Sequence, residues 1–200
     1  MTLSPRNIER DRQVREERRR QIMGAALTMF TKKGITACKM SDIAQEAGLS
    51  HGHVYNHFVS KEELLKCIVF ESQNLYTMIL QQMSQIEGSV PDKLEWMSKA
   101  YLSDQRSDKP YWVILQAQAT DLLSADAKEL IQQRMFENLQ RLTAVIQEGQ
   151  KEGTVIEGDP QEIALMITTL LGSVSLWEIR GFNQSWEISV KYIQKLIQKN

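Results

Sequence analysis

All three histidines of the chain, His51, His53 and His57, fall within seven positions of the stretch LSHGHVYNHF. Imidazoles grouped this closely are candidates to ligate a metal, to move protons, or to face a polar partner. A zinc site needs three or four ligands converging on one point. His53 and His57, at i,i+4, supply two, but His51 lies off that line and no Cys, Asp or Glu in the segment completes the set. Catalysis by a histidine needs a third group to orient it and a cleft that excludes water. An exposed helix of this length offers neither by itself. The remaining use is contact with something outside the chain, and the flanking sequence bears on what that is.

Residues Gln21 to Phe30 place Ile22, Ala25, Ala26, Met29 and Phe30 on one face at helical spacing, and Gly34 supplies a stop. Ser41 to Ala47 reads as a short helix with Ile43, Ala44 and Ala47 inward and Ser41 as its cap. Gly48-Leu49-Ser50 gives a glycine suited to a left-handed turn, an apolar plug and a capping serine. The next helix is expected from His51 to Phe58, and Ser60 with Glu63 forms a capping-box pattern for another. Two short helices joined by a three-residue turn containing Gly make a helix-turn-helix, whose second helix enters the DNA major groove. At about 100° per residue, Val54 and Phe58 share the inward face. Gly52, His53 and Asn56 point away from it, with Tyr55 and His57 on the flanks and His51 in the first turn, where backbone N–H groups are free. Donors, acceptors and a phenol so placed suit base edges and phosphates.

Charge is distributed in the same sense. The chain of 200 residues has a net charge of −1, yet residues 1–66 carry 12 Lys and Arg against 8 Asp and Glu, and residues 67–200 carry 12 against 17. Seven arginines between Arg6 and Arg20 form a basic tract, as expected of a nucleic-acid-binding head, although Glu16 and Arg20 at i,i+4 also fit an ion-paired solvated helix face. Composition is that of a soluble globular protein, with 42% hydrophobic and 24% charged residues. No apolar segment follows the basic tract as in a secretory signal, and the run from Ile163 to Leu176 is too short and too polar to span a membrane. Cys38 and Cys67 stand apart without metal-ligand spacing. A cytoplasmic protein with no membrane partner and no cofactor is expected.

The block from Arg18 to Ile68 resembles the DNA-binding domain of the TetR family of bacterial transcriptional regulators. Ile22, Ala25-Ala26, Phe30 and Gly34 carry the resemblance, followed by Ile43-Ala44, Ala47-Gly48-Leu49-Ser50, Gly52, Tyr55, His57-Phe58 and Ser60-Lys61-Glu62 with Leu64. The resemblance implies that His51, Gly52 and His53 reach base edges, that Tyr55 and His57 bind phosphates, and that Asn56 does either. It implies a phosphate contact for Lys61. Where the family usually has a Thr pair before the second helix, this chain has Cys38-Lys39, so Lys39 becomes a less directional phosphate ligand with Ser41 nearby.

From Lys66 onward the pattern remains helical, through Asn74 to Ile86, a helix from Pro91, an apolar helix from Lys109 to Leu123, Asp126 to Glu152, Pro160 to Arg180 and Trp186 to Lys199. The expected fold is all-α, with about nine helices. A basic arm and three-helix head occupy residues 1–66, and a larger effector-binding and dimerisation body occupies residues 67–200. Leu170, Leu171, Val174, Leu176, Ile193 and Ile197 are the expected dimer interface. Met97, Tyr101, Trp112, Gln116, Asp121 and Trp177 are the candidates for an effector pocket, since pockets combine aromatic walls with a few polar groups. Together these readings describe a non-enzymatic regulator, a homodimer that represses from a palindromic operator until a small molecule releases it. The alternatives are a constitutive DNA-binding regulator without effector and a metal-binding protein using the histidine cluster.

Overall fold

The computed structural model describes residues 5–103, 110–179 and 186–199, with side chains outside the description at a few positions bordering these gaps. Nine helices account for most of the described residues: α1 (Pro5–Lys33), α2 (Met40–Glu46), α3 (His51–Tyr55), α4 (Lys61–Met83), α5 (Val90–Ser103), α6 (Pro110–Ala119), α7 (Ala125–Lys151), α8 (Pro160–Ile179) and α9 (Trp186–Ile197). The one β feature among them is an isolated antiparallel bridge between Val155 and Gln198. It fastens the end of the chain to the α7–α8 loop, with Ile156 N donating to Ile197 O at 2.9 Å. No described helix is long and apolar enough to cross a membrane.

Local signals set the ends of the head's elements. Gly48 adopts φ 66°, a left-handed conformation that a Cβ disfavours, and so lets the chain reverse between α2 and α3. The Ser50 hydroxyl accepts from His53 N at 3.2 Å and starts α3. The Ser60 hydroxyl accepts from Glu63 N at 3.1 Å and the Glu63 carboxylate accepts from Val59 N at 2.7 Å, which together start α4. At α2 the outcome differs from expectation. Ser41 lies inside the helix and Lys39 takes the cap position. The reason is that Asp42 accepts from Lys39 N at 2.9 Å, so the carboxylate satisfies the entry rather than the serine hydroxyl. α3 is also shorter than expected, with Asn56 and His57 in the turn that follows it. The basic tract is not a separate arm from residue 5 onward, because it continues α1.

Two apolar cores stack along the molecule. One gathers Ile22, Ala26 and Phe30 of α1, Ile43 and Ala44 of α2, Val54, Phe58, Leu64 and Leu65, and continues into Val113 and Ala117 of α6 and Ile131 of α7. The other gathers Leu80 and Met83 of α4, Leu94 and Met97 of α5, Leu142 and Ile146 of α7, Ile167 and Leu171 of α8, and Ile193 and Ile197 of α9. α4 runs through both, so the expected division at residues 66 and 67 falls within a continuous helix. Helix α7 passes close to its neighbours at the buried Gly149. A Cβ there would overlap Val155 Cγ2 and lie 2.7 Å from Val90 Cγ1.

Candidate nucleic-acid interface and body cavity

Within α3 and the turn after it, Val54 and Phe58 are fully buried while His51, Gly52, His53, Tyr55 and Asn56 are exposed. This is the inward and outward division expected from the helical period. The outward rings form two i,i+4 pairs. His51 and Tyr55 meet edge to face at 4.8 Å, and His53 and His57 stack at 5.5 Å. The histidines thus pair along the helix surface rather than converging on one point. Among the described residues no group of three or more His, Cys, Asp and Glu is gathered as metal ligands would be.

The helix is braced from α1. The Arg19 guanidinium donates to His57 O at 2.6 Å, lies 4.1 Å over the Phe58 ring, and approaches Cys67 Sγ at 3.5 Å. Gln21 Nε2 donates to Ala47 O at 2.7 Å, holding the end of α2. His57 is half-buried, and its Nδ1 is buried without a hydrogen-bond partner. Burial, then the charge on His53 and on Arg15, Arg19 and Arg18, holds the His57 imidazole below its ordinary value. Arg19 thus stands at the end of α3, on the same helix as Arg15 and Arg18.

Lys39 and Ser41 are exposed beside this face. Lys61 is placed otherwise than the resemblance implies. Its ammonium donates to Ile35 O at 2.8 Å, Thr36 O at 3.0 Å and Cys38 O at 2.8 Å. An ammonium has three protons, and all three are occupied in holding the α1–α2 loop. Sequence spacing could not reveal this, because the loop carbonyls meet Lys61 only in the folded chain. Cys38 is buried, and burial first, then Asp42, raises its thiol pKa. A raised value disfavours the reactive thiolate.

A cavity of about 650 Å³ lies where the two cores meet, bounded by α1, α4, α5, α6, α7 and α8. Tyr101 lines it, as expected, and stacks edge to face on Tyr76 at 5.5 Å. Met97 is fully buried in the second core, Trp112 and Gln116 lie on α6 away from the cavity wall, and Asp121 is exposed in the turn after α6. The Trp177 side chain lies outside the described residues. The wall instead draws on residues that sequence reasoning missed, including Arg20, Met23 and Leu27 of α1, Glu71, Gln73 and Tyr76 of α4, and Phe136 and Asn138 of α7. The i, i+3, i+7 spacing of Arg20, Met23 and Leu27 was a signal that α1 has a second side turned toward the body, on which Met23 is buried, Leu27 half-buried and Arg20 exposed.

The expected dimer interface needs a correction of register. Leu171, Ile193 and Ile197 are buried in the protomer's own core. Leu170 and Val174 are half-buried against that core, and the Leu176 side chain lies outside the described residues. α9 carries two apolar stripes. Val190, Ile193 and Ile197 face inward, while Ile188, Tyr192 and Leu196 are 57%, 61% and 56% exposed. Leu165 and Met166 of α8 are exposed as well.

Residues 22–68 match the family described as bacterial regulatory proteins, tetR family, and residues 87–197 match the tetracyclin repressor-like C-terminal domain. The chain is 27% identical over 137 residues to the HTH-type transcriptional repressor KstR2 of Mycolicibacterium smegmatis, covering 68% of this chain and 67% of that protein. It is 36% identical over 62 residues to the HTH-type transcriptional regulator TtgR of Pseudomonas putida, covering 31% and 30%. Among solved structures, the ketosteroid transcriptional regulator KstR2 of Mycobacterium tuberculosis has TM-score 0.76 at 20% identity, with 92% of this chain and 96% of that one covered. AibR in complex with isovaleryl coenzyme A and operator DNA has TM-score 0.74 at 18% identity, with 90% and 97% covered. Those structural likenesses concern the fold. With family matches over both the head and most of the body, the chain belongs to the TetR family of bacterial regulatory proteins.

Proposed function

We propose that this regulator is a homodimeric repressor that reads a palindromic operator through α3 and leaves it when a small molecule fills the body cavity. The observation that carries the reading is the division of α3. Val54 is anchored in the core, His51, Gly52, His53 and Asn56 are presented outward, and the arginines of α1 stand beside His57. His51, Gly52 and His53 reach base edges, Asn56 contacts a base or a phosphate, and Tyr55, His57 and Lys39 hold phosphates, with Ser41 nearby. Lys61 acts from behind, by holding the loop that carries Lys39. The histidines have no catalytic role.

Two further features support the reading. The exposed stripe of Ile188, Tyr192 and Leu196, with Leu165 and Met166, is an apolar surface suited to a two-fold contact with a second copy, which would set two heads at half-site spacing. The cavity touches both cores, so an occupant with different affinity for two head positions would shift the population between them. KstR2 is named a repressor, and AibR has been solved in complex with isovaleryl coenzyme A and operator DNA. The protein would act in the cytoplasm, where its operator is.

The test is selection of bound fragments from random duplex DNA, with and without chelator. Enrichment of one palindromic motif, indifferent to chelator, is the expected result. Binding that is purely salt-driven with no motif enriched would overturn the reading, and dependence on metal would favour the histidine cluster as a metal site.

A further inference from the structure

The walls of the cavity define the chemistry of its occupant more closely than its size does. Met23, Leu27, Leu75, Ile114 and Leu139 are apolar, and the exposed Leu115, Met135, Phe136 and Leu165 also line the cavity and give it an apolar rim. At its mouth stand one cation, Arg20, and one carboxylate, Glu71, both exposed, among the described lining residues. Their circumstances differ. Glu71 is not free of interaction, whereas Arg20 makes no hydrogen bond or ion pair among the described residues. The i,i+4 pairing with Glu16 that the sequence allows is not formed, although Arg12 does close on Glu9 at 2.8 Å in the same helix.

We propose that the cavity takes an amphipathic anion, an elongated apolar molecule with a single carboxylate, sulfonate or phosphate group seated on Arg20. The proposal rests on the reading of this cavity as the effector site and names the class of effector. A guanidinium at the rim of a largely apolar cavity can bind an anion's oxygens in a fork while the apolar part of the same molecule enters the cavity. A neutral occupant of the same shape gains nothing from Arg20, so the two differ by what the guanidinium gives the anion. Glu71 at the same rim weighs against a second anionic group, which would meet a like charge.

The seat also has a mechanical position. Arg20 is the neighbour of Arg19, whose guanidinium holds His57 O at the end of the reading helix. Arg20, Met23 and Leu27 face the cavity, while Ile22, Ala26 and Phe30 on the other side of α1 pack the head. An anion drawn to Arg20 therefore acts on the same helix that braces α3.

The experiment uses two fluorescent probes that differ by one charged group, anilinonaphthalene sulfonate and neutral phenyl-naphthylamine, titrated into the full chain. Variants are R20Q and G24F. Gly24 lies on the cavity wall in ordinary helical backbone, and a Cβ there would meet no atom within 4 Å, so a phenylalanine can grow into the cavity without strain. The wild type is expected to bind the sulfonate about 10-fold or more tighter than the neutral probe. R20Q is expected to remove that difference by weakening the sulfonate alone, and G24F to block both probes. Equal affinities in the wild type, or a sulfonate preference that survives R20Q, would overturn the anion seat. Loss of both probes in G24F would still leave the effector cavity standing. Failure of both probes to bind, or binding indifferent to G24F, would overturn the seat and the cavity reading together.

Discussion

Arg19 donates to the main-chain carbonyl of His57 at 2.6 Å, so a residue of the basic tract is spent on holding the reading helix rather than on meeting DNA. The same guanidinium covers Phe58, whose ring is fully buried. Removing it leaves a carbonyl and a ring face without their partner. R19A is expected to lower head stability by about 1.5–3 kcal/mol, the usual worth of a charge-assisted bond, and R19K to recover part of it. Thermal unfolding checks this. Unchanged melting in R19A would mean the brace carries no weight.

Lys61 holds a loop, whereas Lys39 is the lysine proposed to meet DNA. K61M is expected to lower melting temperature and loosen the α1–α2 loop, because three carbonyls lose their shared donor. K39A is expected to leave melting unchanged and to reduce the salt slope of operator binding by about 1. Salt titrations of both variants against a fluorescent operator decide the matter. A reduced slope with normal melting in K61M would return Lys61 to the phosphate role that the family resemblance implies.

If His57 holds a phosphate as proposed, operator binding depends on pH in a definite direction. In the free protein, burial and the neighbouring His53, Arg15, Arg19 and Arg18 depress its pKa below 6.5. A phosphate beside the ring would favour the protonated form, so DNA raises the value. Affinity should therefore rise as pH falls through the window between the DNA-bound value and the depressed free value. Folding stability responds oppositely. The unfolded chain takes up the proton more readily, so the His57 contribution is full above about 6.5 and is lost as pH falls toward the depressed value. H57Q should flatten both dependences. If its operator affinity shows the same pH slope as wild type, the ring does not meet phosphate.

Gly149 tests the packing of α7. Alanine in place of a helix-interior glycine normally stabilises by about 0.5–1 kcal/mol. Here the added methyl would overlap Val155 and press on Val90, an overpacking that costs about 1–3 kcal/mol. G149A is therefore expected to melt below wild type. A rise in melting temperature would show that the two valines give way freely.

Much of the head was legible before any coordinates. The Gly48 turn, the Ser50 and Ser60 caps and the inward placement of Val54 and Phe58 follow from short-range rules of spacing and hydrogen bonding, and the structure shows each of them. What escaped depends on tertiary neighbours. Asp42 outcompeted Ser41 for the entry to α2 because its carboxylate reaches Lys39 N. Lys61 found its carbonyls across a loop about 25 residues away in sequence. In α9, apolar residues occupy two stripes, and periodicity alone does not say which faces the chain's own core, so Ile193 and Ile197 were assigned to the wrong side. The cavity wall was missed for a related reason. Aromatic residues such as Trp112 drew attention, whereas the lining draws mostly on aliphatic and polar residues spread over α1, α4, α6, α7 and α8.

The most direct test of the whole account is a binding panel with the selected operator and every single-base variant of one half-site, titrated by wild type, H53A and Y55F at fixed salt. H53A is predicted to lose discrimination at one or two base positions, with each formerly specific step worth about 1–3 kcal/mol, while keeping the wild-type profile elsewhere. Y55F is predicted to weaken all duplexes alike. A uniform loss in H53A, with the base profile intact, would contradict the claim that the exposed face of α3 reads sequence.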